Sequence, residues 1–351
     1  MLLLRKANSA IAADCKSSRP VYGSHVHAKR DHAPRGDRES VVSFTRISEL
    51  GEHKLNNFYL AAFLLCAFPL AAQEHQDPSA QPRTMPLWDG KAPGALGDAD
   101  SDRPTITLYA ASTGHGPTAA VIVFPGGSYG YLATNHEGRQ PANWLNAMGL
   151  VAFVVKYRIG PRYHHPVELG DAQRAIRVVR ARAKEFGVSP DKIGVMGFSA
   201  GGHLASTAAT HFDSGTPQSA DPIDRASCRP DFAILAYPVI SFTAEYTHQG
   251  SRKNLLGENP KPELVKELSS ELNVTPTTPP TFLFSSSTDT VVPPENSVAF
   301  YLALRKADVP AELHIFENAP HGVGLDLADP SVGEWGTLLL HWLRERKVLP
   351  N

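Results

Sequence analysis

The chain has 351 residues, a formal net charge of -1 and 42% hydrophobic residues. That is long enough for one large α/β domain with additional segments, and the charge balance excludes a polyanion-binding or intrinsically disordered chain as a whole. The three cysteines, Cys15, Cys66 and Cys228, lack metal-ligand spacing and allow at most one disulfide.

Residues 1–54 carry more Lys and Arg than Asp and Glu, with scattered Pro, Gly and Ser and no sustained helical or strand period. This segment reads as disordered, or as an extension ahead of a later start. It also holds four of the fifteen histidines, His25, His27, His32 and His53, which weakens a metal-binding reading of the histidine content. The stretch 55–72 runs from Leu55, just after Lys54, through an apolar run from Phe58 to Leu70, and ends in Ala71-Ala72. A cation, a short apolar run and small residues at its end are the pattern of a secretory leader. The run is short of the about 20 residues of a membrane span. The expectation is therefore a secreted or periplasmic protein with no stable span after leader removal. Residues 73–104, rich in Pro, Gly and Asp, read as a linker, and 105–348 as the catalytic domain.

Within that domain, Thr105–Tyr109 alternates as an edge strand does, and Gly114–Pro117 reads as a turn. The continuous apolar run Ala119–Phe124 predicts a strand buried on both faces. Pro125-Gly-Gly-Ser-Tyr-Gly130 follows it. A helix is expected over Gly138–Met148, a second buried strand over Leu150–Val155, and a strongly amphipathic helix through Leu169, Ala172, Ile176, Val179, Ala183 and Phe186, ended by Gly187. Ser189–Lys192 reads as a turn into a strand over Ile193–Met196, followed by a helix over Ala200–Ala209. Further strands are expected at Phe232–Tyr237, Thr281–Ser285 and Ala311–Phe316, and helices at Pro262–Leu268, Pro294–Lys306 and Trp335–Arg346. Pro238–Thr278 reads as an excursion over the site, the kind of segment that shapes a substrate pocket. Repeated strand–helix alternation requires crossovers, so the predicted fold is α/β with a mostly parallel central sheet and helices on both faces.

The chemistry concentrates at Gly197-Phe198-Ser199-Ala200-Gly201, a G-x-S-x-G turn between strand and helix that raises a serine hydroxyl above the sheet. A serine needs a base, and the base needs an orienting carboxylate. On such a sheet the three occur in the order Ser, acid, His. Ser199, Asp289 and His321 have that order, and each follows an expected strand. Asp326 and Asp329 lie beyond His321 and follow no strand, and His314 lies inside a strand. His203, one helical turn after Ser199, reads as a support residue.

A tetrahedral intermediate also needs N–H donors, each worth about 3–4 kcal/mol. The candidates are Ala200, which follows the nucleophile, and Gly126 and Gly127 in the loop after the early strand. Ser128 and Tyr129, with Tyr131, are candidates for the substrate pocket. The glycine run lacks the Lys-Ser/Thr of a nucleotide loop. Lys156, Tyr157 and Arg158 sit at a strand end facing the site. Asp171 is placed either to satisfy the first turn of its helix or to pair with Arg158.

Taken together, Pro125-Gly-Gly-Ser-Tyr, Lys156-Tyr-Arg, His165-Pro-Val-Glu-Leu-Gly-Asp-Ala-Gln-Arg-Ala, Gly197-Phe-Ser-Ala-Gly-Gly-His-Leu, Asp289-Thr-Val-Val-Pro-Pro-Glu-Asn-Ser and His321-Gly resemble the α/β-hydrolase family over about residues 85–346. More narrowly they resemble its carbohydrate-esterase branch, related to acetylxylan esterases. The lipase-like branch has His-Gly-Gly-Gly where this chain has Pro125-Gly-Gly-Ser, which favours the sugar-esterase group. The resemblance implies a serine esterase that deacetylates a plant polysaccharide, an oligosaccharide or a small-molecule ester, with Ser199, Asp289 and His321 as nucleophile, acid and base. It implies no metal or organic cofactor and no nucleic-acid partner. Acyl specificity and oligomeric state are not legible. A serine peptidase of the prolyl-oligopeptidase type and a non-catalytic binding protein on the same fold are the rival readings. Nothing in the chain has the paired carboxylates of a glycosidase.

Overall fold

A computed structural model describes residues 81–111 and 117–350. The extension (1–54), the leader-like segment (55–72), the first residues of the linker and most of the turn at Gly114–Pro117 lie outside the described residues.

The eight strands are β1 (Arg83–Pro86), β2 (Thr105–Tyr109), β3 (Thr118–Phe124), β4 (Val151–Lys156), β5 (Val188–Phe198), β6 (Phe232–Ala236), β7 (Thr281–Ser286) and β8 (Ala311–Phe316). They form one sheet in the order β1-β2-β4-β3-β5-β6-β7-β8. From β4 to β8 every neighbouring pair is parallel, while β1–β2 and β2–β4 are antiparallel. The sheet is mostly parallel, as expected for an α/β chain. The expectation of β2 as the edge strand needs correction. Arg83–Pro86, inside the expected linker, pairs outside it.

Seven α-helices cover the sheet: α1 (Gln140–Ala147), α2 (Val167–Ala181), α3 (Ser199–Thr210), α4 (Gln249–Leu256), α5 (Pro262–Glu267), α6 (Glu295–Lys306) and α7 (Trp335–Glu345). β3 displays the two-sided burial that its apolar run predicts. Ala120, Ile122 and Phe124 join one core with Leu169, Ala172 and Ile176 of α2, Leu204 and Ala208 of α3 and Phe300 of α6. The alternate residues Ala119, Val121 and Val123 join a second core with Ala142 and Leu145 of α1 and Trp335, Leu339 and Trp342 of α7. This is the period of two acting on both faces of a central strand. Burying each Val, Leu, Ile or Phe side chain among them contributes about 1.5–3 kcal/mol.

Three further differences matter. α2 ends at Ala181 rather than at Gly187; Ala183 and Phe186 are still buried, in turn conformation. The expected turn at Ser189–Lys192 lies within β5, where its register against β3 shifts between Thr118 and Ala120. The excursion after β6 contains α4, which no apolar period announces. No helix among the described residues is long and apolar enough to cross a membrane.

Candidate active site

The strands β3, β5, β7 and β8 run parallel, so the loops after them open on the same edge of the sheet, where doubly wound sheets carry their sites. β5 ends at Phe198, and Ser199 starts α3 with φ +51°. A non-glycine residue in the left-handed region is strained, and the surrounding packing must hold it there. The turn is tight. A Cβ at Gly201 would strike the Phe124 carbonyl, and one at Gly126 would lie 2.9 Å from the Ser199 Cβ. Small residues there let the loop after β3 close against the serine.

Asp289 follows β7 and His321 follows β8, and the structure brings both to Ser199. Ser199 Oγ lies 2.8 Å from His321 Nε2, and His321 Nδ1 lies 2.7 Å from Asp289 Oδ2. The carboxylate can only accept, so Nδ1 carries the ring proton and Nε2 accepts the serine O–H. The other Asp289 oxygen accepts the Val291 and Val292 N–H groups, both at 2.9 Å, which locks the carboxylate plane. The Asp289 side chain is 1% exposed and that of His321 16%, so the acid is enclosed while the base edge can meet a substrate.

The oxyanion candidates separate. The N–H groups of Gly127 and Ala200 have no acceptor among the described residues. Ala200 is the second residue of α3, where an N–H has no intrahelical partner. Gly126 is a correction: its N–H donates to Glu137 Oε2 at 2.8 Å and is therefore occupied. Glu137 is buried in a π turn, Asn135–Arg139, ahead of α1. Its other oxygen accepts the Tyr237 hydroxyl at 2.9 Å, and that hydroxyl accepts the Gly324 N–H at 2.8 Å. One buried carboxylate thus ties the loop after β3 to the loop carrying His321. The Tyr237 ring also meets the His321 ring edge-on, with centroids 5.0 Å apart. Sequence reasoning missed Glu137 and Tyr237. A glutamate in the polar run Thr134-Asn-His-Glu-Gly-Arg139 carries no local sign of burial.

Tyr129 is a second correction. It does not line an open pocket; it is fully buried and its hydroxyl donates to His203 Nδ1 at 2.8 Å. His203 Nε2–H donates to the Leu268 carbonyl at 2.7 Å, and the ring stacks on Phe242. Burial pushes its pKa down to about 4, so it is a neutral strut under the site. Ser128 is half-buried at φ +57°, and its carbonyl accepts Asn254 Nδ2–H of α4 at 2.8 Å. Tyr131 is exposed beside the loop.

The polar residues at the end of β4 and just beyond it serve the frame. Tyr157 donates to the Pro125 carbonyl at 2.6 Å, Lys156 pairs with Asp100, and Arg158 pairs with Asp171 at 2.7 Å. Of the two placements open to Asp171, the structure adopts the pair. His314 binds Glu312 at 2.7 Å inside β8, and Asp329 caps the turn at Ser331 and Val332; neither reaches Ser199.

Comparison with known proteins agrees with this arrangement. The BD-FAE family model matches residues 106–304, more than half of the chain. An acetylxylan esterase from Xylanibacter ruminicola is 36% identical over 209 residues, covering 58% of this chain and 41% of that protein. An endo-1,4-beta-xylanase B from Butyrivibrio fibrisolvens is 38% identical over 211 residues, covering 58% and 32%. The chain thus spans less than half the length of these two relatives. The crystal structure of an acetyl ester-xyloside bifunctional hydrolase from Caldicellulosiruptor lactoaceticus superposes with a TM-score of 0.73 at 47% identity, covering 76% of this chain and 97% of that one. The chain belongs to the BD-FAE family of α/β-hydrolases.

Proposed function

We propose that this protein is a serine carboxylic-ester hydrolase that removes acetyl groups from plant polysaccharide or oligosaccharide through an acyl-enzyme. The observation that carries the reading is the unbroken chain Ser199 Oγ–His321 Nε2 at 2.8 Å and His321 Nδ1–Asp289 Oδ2 at 2.7 Å, beside two unpaired N–H groups.

In the first half-reaction His321 Nε2 takes the Ser199 proton as Oγ attacks the ester carbonyl carbon. The carbonyl π electrons move onto oxygen, and the N–H groups of Gly127 and Ala200 hold that charge. The imidazolium, steadied by Asp289, then gives its proton to the departing alkoxide as the C–O bond breaks. Water repeats the sequence on the acyl-enzyme: His321 removes its proton, the second intermediate collapses, and Ser199 regains its hydrogen as acetate leaves. The acetylated-sugar substrate is supported by similarity to an acetylxylan esterase and to an acetyl ester-xyloside hydrolase. Export to the periplasm or the medium is supported by the leader-like segment 55–72 and by the size of a polymeric substrate.

The test measures acetate release from acetylated xylan, hydrolysis of short p-nitrophenyl esters, and cleavage of peptide amides. The expected result is turnover of both ester classes and none of the amides. Ser199→Ala is expected to lower kcat by roughly 10⁴- to 10⁶-fold with the fold unchanged. An alanine enzyme with full esterase activity would sink the mechanism. Faster cleavage of amides than of esters would move the protein to the peptidases.

A further inference from the structure

The mechanism leaves one half-buried histidine beside the candidate site unused. His248 caps the N-terminus of α4: its Nδ1 lies 2.8 Å from Ser251 Oγ and 3.3 Å from the Ser251 N–H. An Nδ1 that accepts leaves the proton on Nε2. That Nε2–H has no acceptor among the described residues, and the side chain is only half-buried, so a substrate can reach it. The charges of the candidate base and acid reach the ring. Burial and then the neighbouring His321 push its pKa down, and the Asp289 carboxylate opposes them; the net downward shift favours the neutral ring, whose tautomer the Ser251 contacts set.

The other end of the same helix touches the other side of the site. Asn254 donates to the Ser128 carbonyl, and the Asn254 carbonyl is 2.8 Å from His164 Nδ1. With eight residues, α4 is about 12 Å long. It therefore bridges the Gly127 loop, where the acyl oxygen would sit, and the neighbourhood of His321, where the alcohol leaves. His321 hands its proton to the leaving oxygen, so a donor close to His321 meets the alcohol half of the ester and not the acyl half. Sugar alcohols carry hydroxyls on carbons adjacent to an acetylated one; an aryl alcohol such as p-nitrophenol carries none.

We infer that α4 is the alcohol-recognition wall of the site and that His248 Nε2–H donates to a sugar hydroxyl next to the scissile acetyl ester. This rests on the ester-hydrolase reading above and adds the residue that selects the alcohol.

Two substitutions separate recognition from helix capping. His248→Asn keeps a good cap acceptor near the Nδ1 position and removes the outer donor. His248→Gln keeps a donor near the Nε2 position and removes the cap. The measurement is kcat and KM of the full chain on acetylated xylobiose and on p-nitrophenyl acetate, with melting temperature as the fold control. His248→Asn is expected to lower kcat/KM on acetylated xylobiose about tenfold, mainly through KM, and to leave p-nitrophenyl acetate within about twofold. His248→Gln is expected to stay within about threefold of wild type on the sugar ester. Equal losses on both substrates with His248→Asn, or no loss on either, would overturn the inference alone. Wild-type enzyme that cleaves p-nitrophenyl acetate but no acetylated sugar would overturn the carbohydrate reading and this inference with it. Wild-type enzyme that cleaves neither would overturn the hydrolase reading.

Discussion

Ser199, Asp289 and His321 could be picked out because acyl-transfer chemistry restricts both residue type and position. A nucleophile, an imidazole and a carboxylate must arrive in chain order at the ends of strands, and few residues satisfy all of that at once. Glu137 satisfies no such rule, yet it occupies the Gly126 N–H and the Tyr237 hydroxyl together. Its removal leaves two buried donors unpaired, each at a cost of about 1–3 kcal/mol. It also frees the loop that carries the Gly127 N–H. Glu137→Ala is therefore expected to lower kcat on p-nitrophenyl acetate by roughly 10- to 100-fold, less than the loss of a whole oxyanion donor. Glu137→Gln retains one amide oxygen to accept the Gly126 N–H and is expected to recover most of that loss. Steady-state kinetics on the two variants, with melting curves alongside, checks this. Equal kcat in Glu137→Ala and wild type would mean that the loop needs no such anchor.

Among the elements, what could be foreseen follows burial. β3 and β4 read clearly because both faces are covered and nearly every residue is apolar. β1 did not, because Arg83–Pro86 is four residues long and largely exposed, so neither period nor hydropathy marks it. α4 is the costlier omission: only Ser251 and Leu255 are buried in it, which is too little for an apolar stripe, and the helix is held by its cap and by Asn254. α2 was legible in its apolar face but not in its charges. Arg158, two residues past β4, and Asp171, in α2, are both buried, with two side-chain contacts of 3.0 and 2.7 Å. Burial raises the Asp171 pKa and the Arg158 guanidinium opposes it. Arg158 also donates to the Pro93 carbonyl, so it fastens the segment after β1 to the sheet. Arg158→Met strands a carboxylate in the core and is expected to cost about 3–5 kcal/mol in urea unfolding. The double variant with Asp171→Leu removes both charges and is expected to regain most of that, because a buried pair and a well-packed apolar pair are close in energy. If the double variant is no better than the single, the loss lies in packing and in the Pro93 contact.

Over the whole molecule the same asymmetry between apolar and polar burial sets how stability depends on pH. Glu168 in α2 is fully buried, and neither carboxyl oxygen meets a hydrogen-bond donor among the described residues. Burial raises its pKa from 4.5 to about 8. A carboxyl that stays protonated in the fold and ionises in the unfolded chain makes the native state bind the extra proton between those two values. Its contribution is complete below pH 4.5 and is lost as pH climbs to about 8, beyond which the loss is constant. His203 works in the opposite sense over an overlapping range, since burial lowers its pKa from 6.5 to about 4 and the unfolded chain then binds the extra proton. Between pH 4.5 and 6.5 the two slopes oppose each other, so neither is visible in the wild-type curve alone. A neutral isostere separates them. The stability of Glu168→Gln minus that of wild type contains only the Glu168 linkage, and it is expected to rise by about 1.4 kcal/mol per pH unit from pH 5 to pH 8 and then level off. In that variant the His203 slope is uncovered, so its own stability is expected to fall as pH drops from 6.5 toward 4.5, where wild type stays nearly flat. Urea midpoints at half-unit intervals from pH 4.5 to pH 9 measure both curves, with m-values confirming that the same surface is exposed throughout. A difference curve that is flat from pH 5 to pH 8 would mean that Glu168 ionises in the folded protein as it does in water, and that a charge is solvated within the core.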